Sequence, residues 1–124
     1  MEIKEQKSPG LTLISGYGNG AFTVNGKRHE GHLLITPAGF YPWSVKSIKT
    51  IQKQSLKALF RSGFSPEFLL FGLGAEVPDA VILARDFQKK FALPCEVMTT
   101  GAAVRTYNVL ALEGRQMAAA LFAV

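Results

Sequence analysis

The sequence predicts an α/β fold with a mixed central sheet, helices on at least one of its faces, and an N-terminal β meander. Three observations lead to this class. The first third consists of short apolar or alternating segments separated by Gly- and Asn-rich turns. Two later apolar runs have strand length, and each precedes a segment with helical spacing of its apolar residues. A final apolar segment closes the chain, so the predicted order is a meander followed by β-α-β-α-β.

The meander is predicted from its turn residues. Residues 11–15 form an apolar strand, residues 16–20 a glycine-rich turn, and residues 21–24 the next strand. Asn25-Gly26 is a strong hairpin signal, because both residue types tolerate positive φ. The chain then returns through His29 and His32 into a strand at residues 33–35, which Pro37 ends. Residues 39–43 continue as irregular or short extended structure.

The second half is predicted from its hydrophobic periodicity. A helix spans about residues 51–61, and the continuous apolar run 68–71 is a central buried strand. Pro78 and Asp79 open an amphipathic helix whose apolar stripe ends at Phe91. Residues 94–98 form the next strand, and residues 102–113 form a second helix that Gly114 stops. Residues 117–124 are interpreted as a final strand, with a short helix as the alternative.

Length and composition limit the class of protein. The 124 residues are expected to form one domain, and the 48% hydrophobic and 19% charged content excludes disorder. No uncharged run is long enough to span a bilayer. Glu2, Lys4, Glu5 and Lys7 replace the apolar centre that a secretion signal needs. Since the single cysteine, Cys95, cannot form an internal disulfide, we expect a cytoplasmic location.

The predicted helix 102–113 carries polar groups among apolar ones. At 100° per residue, five residues fall on a sheet-facing side: Ala103, Val104, Tyr107, Leu110 and Ala111. Arg105, Asn108 and Glu113 fall on the other side together with Val109 and Leu112. This mixture predicts that a loop, the meander or a partner subunit covers the second side as well. Covered Arg105 and Asn108 need hydrogen bonds, either in an internal polar network or toward a ligand or interface.

Two glycine-containing loops predict a candidate ligand site. If strands 68–71 and 96–98 are parallel neighbours, the loop with Gly72 and Gly74 flanks the same crevice as the loop Thr99-Thr100-Gly101. Free N–H groups at the helix start would favour an anion, and Arg105 could add a bidentate contact. A dinucleotide fingerprint is not supported, because Val77 stands where a third glycine is needed. We therefore predict no cofactor.

Basic residues concentrate in one part of the chain. Between Lys27 and Arg61 there are seven basic residues against one acid, Glu30, whereas the remainder has seven against eight. With helical spacing, five of them predict one basic face: Lys46, Lys49, Lys53, Lys57 and Arg61. The alternatives are a solvated face, an acidic protein partner and, more weakly, an anionic membrane surface. Nucleic acid is the least supported, since no aromatic stacking pattern accompanies the charges.

No catalytic or metal-binding constellation is predicted. His29 and His32 are three residues apart beside a hairpin, where strand alternation places them on opposite faces, and no acidic or cysteine cluster joins them. Cys95 begins a buried strand, so we interpret it as an unreactive core thiol. No nucleophile elbow or paired carboxylates are evident.

Several segments resemble a known family: residues 69–74, 99–103, 105–110 and 113–115, with Asn25-Gly26 and Trp43. The chain resembles a small uncharacterised α/β domain family of archaea and bacteria whose eukaryotic relatives include a mitochondrial complex I assembly factor. The resemblance implies a three-layer fold around a mixed five-stranded sheet whose last strand runs antiparallel to the others. It implies an assembly or regulatory role and no assigned reaction. Members often carry Cys where this chain has Val104, which we assign to packing.

The leading hypothesis is a non-catalytic binding or assembly module that engages a protein partner through its surface. The alternative is a small-molecule binder or enzyme that uses the crevice at Gly74, Gly101 and Arg105. Two covered faces on helix 102–113 also predict a homodimer. A packed polar network at the crevice would favour the module, and an open crevice would favour the alternative.

Overall fold

The computed structural model describes residues 10–124; residues 1–9 and the side chains of residues 61–63 lie outside that description. The N-terminal charges Glu2, Lys4, Glu5 and Lys7, and the side chain of Arg61, are therefore outside the described part. The remaining chain forms eight strands, two α-helices and two 3₁₀ helices. Within residues 10–124, none of the helices is long and apolar enough to cross a membrane.

The meander forms a three-stranded antiparallel sheet of β1 (Ile14–Gly18), β2 (Ala21–Val24) and β3 (Lys27–Glu30). The Asn25-Gly26 hairpin is confirmed, because both residues have positive φ and Val24 pairs with Lys27. The predicted boundary of β1 was wrong, since the strand runs on to Gly18. Only Asn19 and Gly20, with φ of 53° and 77°, form the turn, and a two-residue turn of this kind matches the twist of the strands it joins.

The second sheet has five strands in the order β5-β4-β8-β6-β7. Its strands are β4 (Leu33–Thr36), β5 (Gly39–Pro42), β6 (Leu69–Gly72), β7 (Cys95–Met98) and β8 (Ala118–Leu121). The mixed five-stranded sheet is confirmed, but the expected antiparallel last strand is wrong. β8 pairs in parallel with β6 and antiparallel with β4. A helical crossover after β7 returns the chain to the same sheet in the same direction, which makes β8 parallel.

Alternate residues of the central sheet face two separate cores. Leu34, Leu69 and Phe71 belong to the cluster that includes Phe87 and Phe91 of α1 (Ala80–Phe91). Leu33, Ile35 and Leu70 belong to the cluster that includes α2 (Thr100–Leu112) and the buried residues of the meander. Strands β4, β6 and β8 are buried on both sides, as their continuous apolar sequence predicts, whereas the edge strands β5 and β7 are partly exposed. The three-layer α/β fold is thereby confirmed.

The predicted helix at residues 51–61 is not an α-helix. The chain instead forms a short 3₁₀ helix (Ile48–Thr50), an extended residue at Ile51, and a second 3₁₀ helix (Lys53–Gly63). The Ser55 hydroxyl binds the backbone N–H and C=O of Gln52, which offers the chain a local alternative to α-helical hydrogen bonds. Leu56 and Leu59 are both buried, and a spacing of three residues is the repeat of a 3₁₀ helix.

Candidate functional site

The carboxyl ends of two parallel strands bring the predicted site residues together. β6 and β7 are parallel neighbours, with Gly72 opposite Met98. The loop after β6 therefore meets the loop after β7, as predicted. α2 begins two residues earlier than expected, at Thr100, and the side chain of its N-cap residue Thr99 accepts a hydrogen bond from the Ala102 N–H at 3.3 Å. The Ala102 N–H lies at the helix start, where free N–H groups were predicted to favour an anion, and it is already bonded within the chain.

Thr100 closes the predicted crevice from within. Its hydroxyl donates to the Phe122 carbonyl at 2.8 Å and accepts from the Gly74 N–H at 3.0 Å. Its own N–H donates to the Gly74 carbonyl at 2.9 Å. The side chain is fully buried. The two loops are thus bonded directly to each other and to the end of β8, and the Thr100 hydroxyl binds backbone groups of the chain.

Tyr17 of β1 covers the start of α2. A Cβ atom built on Gly101 would lie 2.5 Å from the Tyr17 hydroxyl oxygen. The Tyr17 side chain thus occupies the space that a side chain at position 101 would need. The Cβ built on Gly101 would also lie 3.6 Å from a guanidinium nitrogen of Arg105. The Tyr17 phenol therefore lies beside the predicted anion site at Gly101. The sequence did not identify Tyr17, because nothing in a turn-like Gly-Tyr-Gly segment indicates which helix it meets.

Gly72 allows α2 to lie unusually close to the sheet. A Cβ at this position would lie 2.8 Å from the Cβ of Ala103 and 3.0 Å from the Cα of Thr100. Contacts that short do not occur between real side chains and backbone, so any larger residue would push the helix outward. Gly72 was predicted as part of a ligand loop, and the structure gives it a packing role. The close approach is what brings the Thr100 hydroxyl within reach of Gly74.

The middle of α2 is bonded to the meander. The Asn108 side chain accepts from the Ile14 N–H at 3.0 Å and donates to the Ile14 carbonyl at 2.7 Å. The buried hydroxyl of the preceding residue, Tyr107, donates to the Thr12 carbonyl at 2.7 Å, and burial raises the pKa of this phenol. The Asn108 side chain thus bonds to both backbone groups of Ile14, as a neighbouring strand would. The expectation that Asn108 is covered and hydrogen-bonded is confirmed.

The described residues do not cover the rest of that helix face. Val109 and Leu112 are 54% and 59% exposed, and Arg105 and Glu113 are exposed too. Among the described residues Arg105 makes no hydrogen bond or ion pair, so the expected internal bond of Arg105 is not found there and Glu113 is not its partner. A covering partner subunit stays a prediction. The sheet-facing side is as predicted, with Ala103, Val104, Tyr107 and Ala111 buried.

The basic residues lie on the opposite layer, beside α1. Lys46, Lys49, Lys53 and Lys57 are exposed. Lys46 precedes the helices, whereas Lys49 lies in the first 3₁₀ helix and Lys53 and Lys57 lie in the second. Because a step of four residues in a 3₁₀ helix turns by about 120°, the spacing that predicted one helical face does not place Lys53 and Lys57 on the same side of their helix. Lys90, at the end of α1, donates to the Ile51 carbonyl at 3.1 Å, which fixes the bend between the two 3₁₀ helices.

Neither histidine is placed for metal binding. His29 packs edge-on against Phe40, whereas His32 stacks on Phe122 and accepts a hydrogen bond from the Ala123 N–H at 2.9 Å. Burial lowers the pKa of His32. Within residues 10–124 there is no group of three or more His, Cys, Asp and Glu that could hold a metal ion.

Cys95 is buried at the start of β7. Desolvation, and secondarily the charge of Glu96, raises the pKa of its thiol to about 12. The thiol therefore stays protonated at neutral pH and lacks the nucleophilic thiolate form.

Comparison with known proteins places residues 14–122 within a family model described as a protein of unknown function (DUF498/DUF598). An uncharacterised protein of Rhodobacter capsulatus is 33% identical over 98% of this chain and 92% of its own length. The NADH dehydrogenase [ubiquinone] 1 alpha subcomplex assembly factor 3 of Drosophila melanogaster is 28% identical over 88% of this chain. The match spans 57% of that longer protein.

The fold is also similar to solved structures. A crystal structure from Bartonella henselae, described as an outer membrane protein, superimposes with a TM-score of 0.71 and 33% sequence identity. The match covers 94% of this chain and 98% of the other. The fold of the described residues is therefore similar to that of this solved structure over nearly the whole length of both chains.

Replacement of Thr100 by valine tests the closure of the crevice. The variant T100V keeps the shape of the side chain but leaves the Gly74 N–H and the Phe122 carbonyl without their partner. We expect the free energy of unfolding to fall by about 1–3 kcal/mol, measured by urea denaturation. T106V is the matched control, because among the described residues the Thr106 hydroxyl has a single weak hydrogen bond, to the Met98 sulfur at 3.6 Å. Equal effects of the two substitutions would contradict the assigned role of Thr100.

The environment of His32 predicts a pH dependence of stability. The folded state requires an unprotonated Nδ1, and its pKa lies below the ordinary value of 6.5. The unfolded chain therefore binds the extra proton first, so stability is complete above about pH 7 and falls as the pH drops through the folded pKa. H32Q keeps an acceptor that does not titrate and should flatten the slope of unfolding free energy between about pH 7 and 5. H29Q serves as control, and parallel slopes for the wild type and H32Q would refute the interpretation.

Proposed function

The chain belongs to the DUF498/DUF598 family, and we propose that it is an assembly-type factor that binds another protein without chemical turnover. The observation that carries this proposal is the closed crevice at the ends of β6 and β7. Thr100 bonds to both neighbouring loops, and Tyr17 covers Gly101. Polar groups that a ligand would need are thus used inside the chain.

The name of one relative also supports an assembly role. The Drosophila relative is an assembly factor of NADH dehydrogenase, and this chain matches 57% of that protein. We carry over only the general role, binding a protein during assembly of a larger complex. The partner and the pathway are not implied by that name for this chain. Because its single cysteine is a buried free thiol, we propose that the protein works in the cytoplasm.

The basic segment is the surface proposed for the partner. Residues 31–66 contain Lys46, Lys49, Lys53 and Lys57 together with Arg61, and no acidic residue. The four lysine side chains are exposed, and they flank the buried Leu56 and Leu59 that hold the segment on the sheet. Such a surface fits an acidic protein, since charge complementarity raises association rates and excludes basic partners. An anionic membrane is the weaker alternative, and nucleic acid lacks stacking groups on this surface.

One observation favours the small-molecule alternative. Arg105 is exposed and unpaired among the described residues, and its guanidinium lies beside Tyr17 at the start of α2. A phosphate or carboxylate could bind these two groups at the surface without entering the closed crevice. This alternative predicts a weak anion site centred on Arg105, with the Tyr17 hydroxyl as a second donor.

Charge reversal distinguishes the proposed protein binding from the small-molecule alternative. The tagged protein is cross-linked in the cells that naturally make it, and the captured proteins are quantified by mass spectrometry. Under our proposal, K53E/K57E loses one specific acidic partner by about tenfold or more, because like charges replace complementary ones. The control K27E/R28E makes the same charge change on β3, in the layer on the opposite side of the central sheet, and should retain the partner.

The same proteins are titrated with nucleotides, inorganic phosphate and phosphorylated sugars by calorimetry. Saturable binding that R105A removes, together with an unchanged set of captured proteins in K53E/K57E, would overturn the proposal in favour of the alternative. Loss of a partner in K53E/K57E with no saturable ligand binding would support it. Circular dichroism confirms that each variant is folded before it is compared.

A further inference from the structure

One face of α2 is exposed and has no cover among the described residues. Asn108, which binds the meander, bounds this face on one side, and Thr106, which contacts Met98 of β7, bounds it on the other. At 100° per residue, four exposed side chains lie in the arc between these boundaries: Arg105, Val109, Leu112 and Glu113. The two aliphatic residues leave more than half of their surface in solvent. Exposed aliphatic groups rimmed by charges are typical of a surface that another chain covers.

The charges of this face are placed symmetrically about Val109. Arg105 lies four residues before it and Glu113 four residues after it. Because residues four apart form a continuous row on a helix surface, these three make one row with a positive start, an apolar centre and a negative end. Within residues 10–124 neither charged side chain makes a hydrogen bond or an ion pair. The row is therefore complementary to a reversed copy of itself.

The charge at the end of α2 also opposes the dipole of its own helix. The carboxyl end of a helix favours cations, and α1 follows this rule with Lys89 and Lys90 in its last turn. α2 has no basic residue in its last turn, and its C-cap is the acidic Glu113. Arg115, two residues farther on, is paired with Glu67. A cation supplied by another chain would thus be attracted both by the Glu113 carboxylate and by the end of the helix.

We infer that this face binds the same face of a second copy of the chain, with the two α2 helices antiparallel about a two-fold axis beside Val109. The two rows run alongside each other when the helix axes cross at about 50°, the commonest angle of helix packing. Arg105 of each copy then lies against Glu113 of the other, at the helix end that lacks a cation, so two ion pairs form. The Val109 side chains meet at the centre, and Leu112 is covered beside them.

The symmetry of the charges gives a test that is specific to this register. Analytical ultracentrifugation of the wild type should show a species of twice the 13.5 kDa of the chain. R105E opposes two glutamates in each of the two pairs, and E113R opposes two arginines, so either variant should lower the association constant by about tenfold or more. A mixture of R105E with E113R contains two attractive pairs in each heterodimer and should associate again. The double variant R105E/E113R should dimerise by itself for the same reason.

A second substitution tests the apolar centre of the interface. V109E places two glutamates at the axis and should leave the protein monomeric, whereas V81E, the same change at an exposed site of α1, should not. R85E and D86R, on the exposed side of α1, are the matched controls for the charge variants. Circular dichroism confirms that each variant is folded.

Three results would overturn the inference: a wild type that stays monomeric at millimolar concentration, a dimer that R105E leaves unchanged, or a mixture of R105E with E113R that fails to associate. Loss of the dimer in V81E or R85E would do the same, because it would place the interface on α1. The central sheet separates α2 from the basic segment. These outcomes therefore do not bear on the acidic partner proposed for Lys53 and Lys57.

Discussion

The structure depends on how closely the first turn of α2 approaches the end of β6. No side chain fits at position 72, because its Cβ would lie 2.8 Å from Ala103 and 3.0 Å from the Thr100 backbone. At that distance one hydroxyl, that of Thr100, reaches both the Gly74 N–H and the Phe122 carbonyl. The ends of three adjacent strands are thereby joined at the point where open α/β sheets usually hold their ligands.

The same placement determines the position of the meander. With its N-terminal turn held against the sheet, α2 presents Tyr107 and Asn108 to the segment around β1, and each binds backbone groups there. β1 in turn carries Tyr17 back over Gly101. Helix and meander thus fix one another, and Asn108 is the polar residue of that helix face that is used in the contact. Arg105 and Glu113 are exposed, and the alternative function centres on Arg105.

Much of this arrangement was predicted correctly from the sequence, and the predictions that were wrong have identifiable physical reasons. The sheet-facing side of α2 was predicted because Ala103, Val104 and Tyr107 repeat with helical spacing. The approach of Tyr17 to Gly101 was not, since no local pattern records which loop meets which helix. The 3₁₀ helix was predicted as an α-helix because buried residues three apart, such as Leu56 and Leu59, suit both. The direction of β8 depends on the crossover through α2, and its short Ala118–Leu121 sequence is compatible with either direction.

The central claim, that the crevice is closed by Thr100, is tested most directly by amide exchange at Gly74. This N–H has a side-chain hydroxyl as its partner and no strand neighbour. Measured by NMR, the Gly74 amide should exchange as slowly as the buried amides of β6, with a rate limited by global unfolding. Rapid exchange at Gly74, while Leu70 and Phe71 remain protected, would show that the crevice opens in the folded protein and would contradict the account.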